Sequence, residues 1–77
     1  MMINKNIKTI RQSKGLTQKF VAQQLGMSPM QYYRIENGLT KVDANILPKL
    51  AEELGVKPAI FFKDTLTETV SEEVKEG

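Results

Sequence analysis

The sequence predicts an all-α fold of five short helices. Three observations carry this prediction. Apolar residues recur at intervals of three and four, as they do on one face of a helix. Hydroxyl side chains stand before two of these segments, where a helix cap belongs, and glycines follow the segments, where helices end. At 77 residues, 40% of them hydrophobic, the chain suffices for one domain with a small core.

The first helix is predicted over residues 4–14 and ends at Gly15. Three apolar side chains at four- and three-residue spacing define its inward face: Ile3, Ile7 and Ile10. The second helix begins after Thr17, a favourable N-cap residue, and ends at Gly26. Its predicted inward face consists of Val21, Ala22 and Leu25.

The third helix is predicted to begin after Ser28. Pro29 takes the first helical position, where its missing N–H costs no hydrogen bond, and Gln31 completes a capping box with Ser28. Asn37 and Gly38 end the helix roughly ten residues after it begins. The second and third helices, with the tight turn between them, form the pattern of a helix-turn-helix, whose second helix can enter the major groove of DNA.

The fourth helix follows a loop over residues 38–44 and ends at Gly55. Its apolar residues are Ile46, Leu47, Leu50, Ala51 and Leu54. Pro48 is compatible with this helix if Asn45 is the cap, because Pro48 then lies in the first turn. Lys57 and Pro58 open a short fifth helix, to which Phe61 and Phe62 contribute the apolar side chains.

The charge is distributed unevenly along the chain. The net charge is +2, but residues 1–62 carry +5 and residues 63–77 carry −3. We therefore predict a helix-turn-helix DNA-binding domain over residues 1–62 and an acidic C-terminal tail over residues 63–77. The basic body suits a polyanionic partner, although a solvated lysine surface would have the same composition.

The structure of the acidic tail is left open by its sequence. The tail combines few apolar residues with many acids, which favours a flexible, disordered segment. Leu66, Val70 and Val74 have the spacing of an amphipathic helix, and the alternation of Leu66, Glu68 and Val70 would also suit a strand.

The composition argues against several classes of protein. The chain has no cysteine and no histidine, so it lacks the ligands of thiolate metal sites, the commonest zinc ligand and the commonest general base. We therefore expect no enzyme activity, no metal and no other cofactor. No apolar run approaches the ~20 residues that span a bilayer, and the N-terminus lacks a secretory signal. We expect a cytoplasmic protein without membrane association.

Several landmarks stand in order at the intervals of a known family. They are Gly15-Leu16-Thr17-Gln18, Leu25-Gly26, Ile35-Glu36-Asn37-Gly38, Leu50-Ala51 and Leu54-Gly55-Val56. Over residues 4–62 the chain resembles the Xre family, which includes the lambda-type phage repressors and Cro proteins. The resemblance implies a five-helix lambda repressor-like domain whose third helix is the recognition helix. It also implies a transcriptional regulator, a repressor that binds a dyad-symmetric operator in double-stranded DNA as a homodimer.

The resemblance further implies a set of DNA-contacting residues: Thr17, Gln18, Ser28, Pro29, Met30, Gln31, Tyr33, Arg34, Asn37 and Lys41. Gln18 takes the position of the phosphate-clamping glutamine, at a helix start where the dipole favours an anion. Arg34 is the one candidate for a bidentate pair with guanine, worth ~1–3 kcal/mol of discrimination. A phosphate contact is the alternative for Arg34. Pro29 and Met30 are expected to contact a thymine methyl group.

Four further residues have expected roles outside base readout. By resemblance, Arg11 and Glu36 form a partly buried structural ion pair. Tyr32 is predicted to pack in the core with its hydroxyl at the edge. Phe20 replaces the polar residue usual in the family, and either packs on neighbouring side chains or contacts a protein partner. The alternative function is therefore an antitoxin-like or other protein-interaction module that also binds DNA.

Overall fold

A computed structural model describes residues 3–63, which form four α-helices and two 3₁₀ helices and contain no strand. The α-helices are α1 (Ile3–Ser13), α2 (Gln18–Leu25), α3 (Pro29–Glu36) and α4 (Leu47–Leu54). One 3₁₀ helix, Ala44–Ile46, precedes α4, and the other, Pro58–Phe62, follows it. The all-α prediction is confirmed for this part of the chain. The predicted acidic tail lies, from residue 64 onward, outside the described residues.

The predicted fifth α-helix is a 3₁₀ helix, so the described residues hold four α-helices and not five. The N–H of Ile60 donates to the carbonyl of Lys57 at 3.0 Å, and that of Lys63 to Ile60 at 3.3 Å. Bonds between residues three positions apart are those of a 3₁₀ helix, which is wound more tightly than an α-helix and usually forms short segments. A five-residue segment that begins at Pro58 offers little room for the longer-range bonds of an α-helix.

The start of α4 also differs from its prediction. Asn45 is not its cap: the side chain of Asp43 accepts a hydrogen bond from the N–H of Asn45 at 2.9 Å and caps the preceding 3₁₀ helix. Helix α4 begins at Leu47, with Ile46 at the N-cap and no side-chain cap. Pro48 does lie in the first turn, where its missing N–H removes no hydrogen bond.

The caps of the helix-turn-helix are confirmed. The Thr17 hydroxyl accepts from the N–H of Phe20 at 3.0 Å. Ser28 and Gln31 form the predicted capping box: the Ser28 hydroxyl accepts from the N–H of Gln31 at 3.2 Å, and the Gln31 side chain accepts from the N–H of Ser28 at 2.9 Å. Gly26 ends α2 in the left-handed region, with a φ of 72°, which a residue without Cβ adopts at no steric cost.

One core joins all four α-helices and the C-terminal 3₁₀ helix. Its buried residues are Ile7, Ile10, Val21, Ala22, Tyr32, Ile35, Leu47, Leu50, Ala51, Leu54, Ile60 and Phe61. Ile3 and Leu25 pack against this core half-buried, while Phe62 is 44% exposed. The core therefore holds α2 and α3 between α1 and α4. None of the helices in residues 3–63 is long and apolar enough to cross a membrane.

A buried amide fastens the C-terminal 3₁₀ helix to α1. Asn6 is 6% exposed, and its side-chain nitrogen donates to the carbonyls of Phe61 at 2.7 Å and Lys63 at 2.8 Å. Both N–H groups of this amide are therefore used. No local pattern in the sequence indicates this role for Asn6, because its two acceptors are backbone atoms near the other end of the domain.

Replacing Asn6 with Ala should lower the free energy of unfolding by about 1–3 kcal/mol, because the buried carbonyl of Phe61 and the partly buried carbonyl of Lys63 would lose their donor. Chemical denaturation followed by helical circular dichroism measures this change. Asn45→Ala is the matched control, since Asn45 is exposed and uses only its backbone N–H. An equal loss in both variants would contradict the role of the Asn6 amide.

Candidate nucleic-acid interface

Helix α3 has one side in solvent and one side in the core. Met30, Tyr33, Arg34 and Asn37 are exposed and follow the three-, one- and three-residue spacing of one helical stripe, with Met30 at 56% and Tyr33 at 45% exposure. The buried side consists of Tyr32, Ile35 and Glu36. The predicted recognition helix therefore lies on the surface and leaves a continuous stripe free for a ligand.

The two helix starts next to this stripe keep hydrogen-bond donors free. Thr17, Ser28 and Gln31 are exposed, and the side-chain oxygen of each accepts a capping hydrogen bond. The capping bonds do not use the two hydroxyl hydrogens or the Gln31 side-chain N–H groups. Pro29 is exposed beside them. The cap residues can therefore stabilise their helices and still donate to an anion.

An open pocket of about 310 Å³ lies between α3 and the loop that follows it. The residues that line it are Met27, Gln31, Arg34, Ile35, Thr40, Lys41, Asp43 and Ile46. It brings the predicted DNA-contacting residues Gln31, Arg34 and Lys41 to one place. Two cations thus face the same groove, with a single carboxylate among the lining side chains.

The end of α3 is held by amide side chains. Asn37 donates from its side chain to the carbonyl of Tyr33 at 2.9 Å, and Asn4 donates to the backbone carbonyl of Glu36 at 3.3 Å. Gly38 follows with a φ of 70°, and a Cβ there would lie 3.1 Å from the Asn4 amide nitrogen. The left-handed backbone therefore favours a glycine where the chain leaves α3, and a Cβ there would also have to displace the Asn4 side chain by a few tenths of an ångström.

Arg11 and Glu36 form a buried, bidentate ion pair between α1 and α3. The Arg11 Nε lies 2.6 Å from Glu36 Oε2, and Arg11 Nη2 lies 3.1 Å from Oε1. The remaining side of the guanidinium donates from Nη1 to the carbonyl of Leu16 at 2.6 Å. Glu36 is 2% exposed and Arg11 8%. The pair therefore anchors both α3 and the turn before α2.

Gln18, the first residue of α2, joins this pair. Its side-chain Nε2 donates to Glu36 Oε1 at 3.0 Å. Gln18 was predicted to contact the DNA backbone and Glu36 to form the ion pair, and the contact between them was not predicted. They lie eighteen positions apart in the sequence, and only the packing of α2 on α3 brings their side chains into contact.

Tyr32 departs from its prediction. Its hydroxyl is not at the edge of the core: the whole side chain is buried, and among residues 3–63 the hydroxyl has no hydrogen-bond partner. Burial, and then the adjacent carboxylate of Glu36, raise the pKa of this hydroxyl far above its usual value. Tyr32 therefore stays neutral and packs within the core.

Opposing effects act on the charges of the ion pair. Burial alone would raise the pKa of Glu36, but hydrogen bonds from Arg11 and Gln18 outweigh burial and hold this pKa below its usual value. The bond to Glu36 raises the pKa of Arg11. Both side chains are therefore charged at neutral pH, and the pair has no charge left for a ligand.

The remaining charges make the domain cationic. Residues 3–63 carry ten Lys and Arg against four Asp and Glu, a net charge of +6. Arg11–Glu36 is the only salt bridge within those residues, so Arg34 and Lys41 have no carboxylate partner there. A surface helix flanked by such cations and by free donors matches what a polyanion requires.

Comparison with known proteins identifies the family. A helix-turn-helix family model matches residues 7–61, which is most of the chain. The chain belongs to the Xre-like helix-turn-helix family of DNA-binding proteins. The matched residues begin within α1 and end within the C-terminal 3₁₀ helix, so the match includes the whole core. No solved structure matches the chain significantly.

Two curated relatives of this Xre-like protein carry similar descriptions. The chain is 38% identical over 68 residues to YqaF of Bacillus subtilis (strain 168), an uncharacterized HTH-type transcriptional regulator. The alignment includes 88% of this chain and 90% of YqaF. The chain is 30% identical over 71 residues to y4wC of Sinorhizobium fredii (strain NBRC 101917 / NGR234), also an uncharacterized HTH-type transcriptional regulator. That alignment includes 92% of this chain but only 50% of y4wC.

Replacing Arg11 alone with Met should destabilise the domain by about 3–5 kcal/mol, because the Glu36 carboxylate would stay buried without its partner. The double variant Arg11→Met/Glu36→Leu should recover most of this loss, since it removes both charges. Urea denaturation of the three proteins measures both effects. A double variant no more stable than the single variant would contradict this account of the pair.

The ion pair should also make stability depend on pH. Because the folded pKa of Glu36 is lowered, its contribution is complete above the unfolded pKa of about 4.3 and is lost as pH falls towards the folded pKa. The difference in unfolding free energy between the wild type and the double variant should therefore be constant near neutrality and shift against the wild type below about pH 4.3. The other carboxylates are common to both proteins and cancel. A difference that stays constant down to pH 3 would rule out this linkage.

Proposed function

We propose that this Xre-like protein is a transcriptional regulator that binds double-stranded DNA by sequence, with α3 in the major groove. The observation that carries the proposal is the exposed stripe of Met30, Tyr33, Arg34 and Asn37 on a helix whose other side is buried. An α-helix fits the major groove, and there each base pair presents a distinct pattern of donors and acceptors. The relatives described as HTH-type transcriptional regulators support the same role.

Base readout in this proposal depends mainly on Arg34. Its guanidinium can donate two parallel hydrogen bonds to guanine O6 and N7, which no other side chain of the stripe can do. Met30 and Pro29 at the start of α3 supply apolar contact for a thymine methyl group, and Tyr33 lies beside them for a base or a phosphate. The preference should therefore include at least one guanine in each half-site.

Contacts with the DNA backbone come from the ends of the helices. Gln18 has its backbone N–H in the first turn of α2, where helix N–H groups have no intrahelical partner. The hydroxyls of Thr17 and Ser28 and the side-chain N–H groups of Gln31 are the neighbouring donors. Asn37 and Lys41 approach the backbone at the other end of α3. These contacts set the position of the protein on the duplex but carry no base preference.

A homodimer on a dyad-symmetric operator completes the proposal, with repression as the outcome. One recognition helix reads only a few base pairs, and two-fold pairing doubles the site, with half-sites about 34 Å apart. Near the C-terminal end of the domain, Ile60 and Phe61 are buried in the core and unavailable to a partner. Phe62, at 44% exposure, is the aromatic side chain there that a second copy could cover.

A protein partner is a secondary proposal. Phe20 on α2 is 42% exposed, and its ring is an apolar surface that another protein could contact. An antitoxin-like module would combine such a contact with DNA binding through α3. DNA binding remains the leading proposal, because the whole exposed stripe of α3 and the cations beside it support it. The proposal of a protein partner is supported by one side chain.

Selection of binding sites from random duplex DNA tests the proposal. The wild type should yield a dyad-symmetric consensus, and Arg34→Ala should relax one base position in each half-site, at a cost of about 1–3 kcal/mol per contact. Arg34→Lys is the control, because lysine keeps the positive charge but cannot form a bidentate pair with guanine. This variant should lose the base preference and keep most of the non-specific affinity for DNA. An unchanged consensus in Arg34→Ala would contradict the role of Arg34.

A further inference from the structure

We propose that Glu36 is a positioning residue for Gln18: its buried carboxylate holds the Gln18 amide in the orientation that donates to a DNA phosphate. The inference rests on the proposed DNA-binding function and deepens it. It assigns a second role to a residue that otherwise serves only in an ion pair. Three observations support it, namely the polarity of the contact, the rigidity of the carboxylate and the place of Glu36 in α3.

The first observation is the polarity of the contact. An ionised carboxylate can only accept hydrogen bonds, so Glu36 Oε1 must face the nitrogen end of the Gln18 amide. The distance of 3.0 Å places Nε2 in a bond to a charged acceptor. One N–H of the amide is used here, and a second N–H remains on the same nitrogen. Together with the backbone N–H of Gln18, it gives a phosphate oxygen two donors from one residue.

The second observation is the rigidity of the carboxylate. Glu36 is 2% exposed, and Arg11 donates to both of its oxygens, at 2.6 Å and 3.1 Å. An acceptor held on both sides restrains the otherwise mobile side chain of Gln18, which is only half-buried. Gln18 is thus ordered when the protein folds, and it does not have to be ordered when DNA binds.

The third observation is that Glu36 is the last residue of α3. The group that orients the backbone contact of α2 is therefore part of the recognition helix itself. Its main-chain carbonyl is also fixed, since Asn4 donates to it at 3.3 Å. A shift of α3 along or about its axis would move the acceptor of Gln18. The phosphate contact and the base-reading stripe consequently keep a constant spacing.

A mutant cycle in the full chain tests this inference. The proteins are the wild type, Gln18→Ala, Glu36→Asp and the double variant, each titrated against the selected duplex and a scrambled duplex of equal length. Glu36→Asp keeps the charge for Arg11 but withdraws the carboxylate from Gln18 by one methylene. Gln18→Ala should weaken binding to both duplexes by about three- to tenfold, the range of one hydrogen bond. Glu36→Asp should cause a similar loss, and the double variant should bind no more weakly than Gln18→Ala.

Amide hydrogen exchange in the wild type gives a second measurement that does not depend on the folding of any variant. The side-chain N–H of Gln18 that donates to Glu36 should exchange several-fold more slowly than the side-chain N–H groups of Gln23, which is exposed on the same helix. Gln18→Ala leaves the ion pair intact, so its helical circular dichroism should match that of the wild type. Should Glu36→Asp fail to fold, the exchange comparison alone decides the matter. Equal exchange rates for the two glutamines would overturn the inference.

The outcomes of the cycle separate this inference from the proposed function. If Glu36→Asp weakens DNA binding by the same factor in the wild type and in Gln18→Ala, Glu36 acts independently of Gln18 and the inference is wrong. If Gln18→Ala binds both duplexes as tightly as the wild type does, both the phosphate contact and the inference are wrong. That result would not contradict DNA binding through α3. If the wild type binds neither the selected nor any random duplex, the proposed function itself is wrong.

Discussion

The buried carboxylate of Glu36 is the group on which the arrangement of the helix-turn-helix depends. Such a charge is stable in a small core only when donors surround it, and here Arg11 supplies two and Gln18 a third. These residues come from α1, α2 and α3, so a single charge connects three helices. Hydrogen bonds have direction, whereas apolar packing does not. Helix α3 therefore has a defined rotation about its axis as well as a defined position.

Signals that act over a few residues allowed much of this fold to be predicted. The caps at Thr17 and Ser28 and the left-handed glycine at Gly26 each depend on contacts within four residues, so the sequence alone contains them. The periodicity of the apolar residues likewise indicated which side of each helix is buried. The exposed stripe of α3 follows from the same periodicity, because the positions between the buried ones have to face outward.

Features that depend on distant partners could not be predicted in this way. Asn6 stands among isoleucines on α1 and is an ordinary polar residue until the carbonyl of Phe61, 55 positions away, is placed beside it. The contact of Gln18 with Glu36 has the same origin. The predicted cap of α4 was wrong for another reason: Asp43 and Asn45 are both good cap residues, but Asp43 caps the 3₁₀ helix that precedes α4, and α4 itself begins without a side-chain cap.

The two hydrogen bonds donated by the Asn6 side chain affect when the domain can complete its folding during translation. Its amide joins the first helix to carbonyls of residues 61 and 63, which are among the last of the domain to leave the ribosome. The opening helix cannot complete its packing while translation is still in progress through the middle of the chain. The domain therefore gains these contacts only late in synthesis, and a product ending before residue 61 would lack both acceptors of the Asn6 amide.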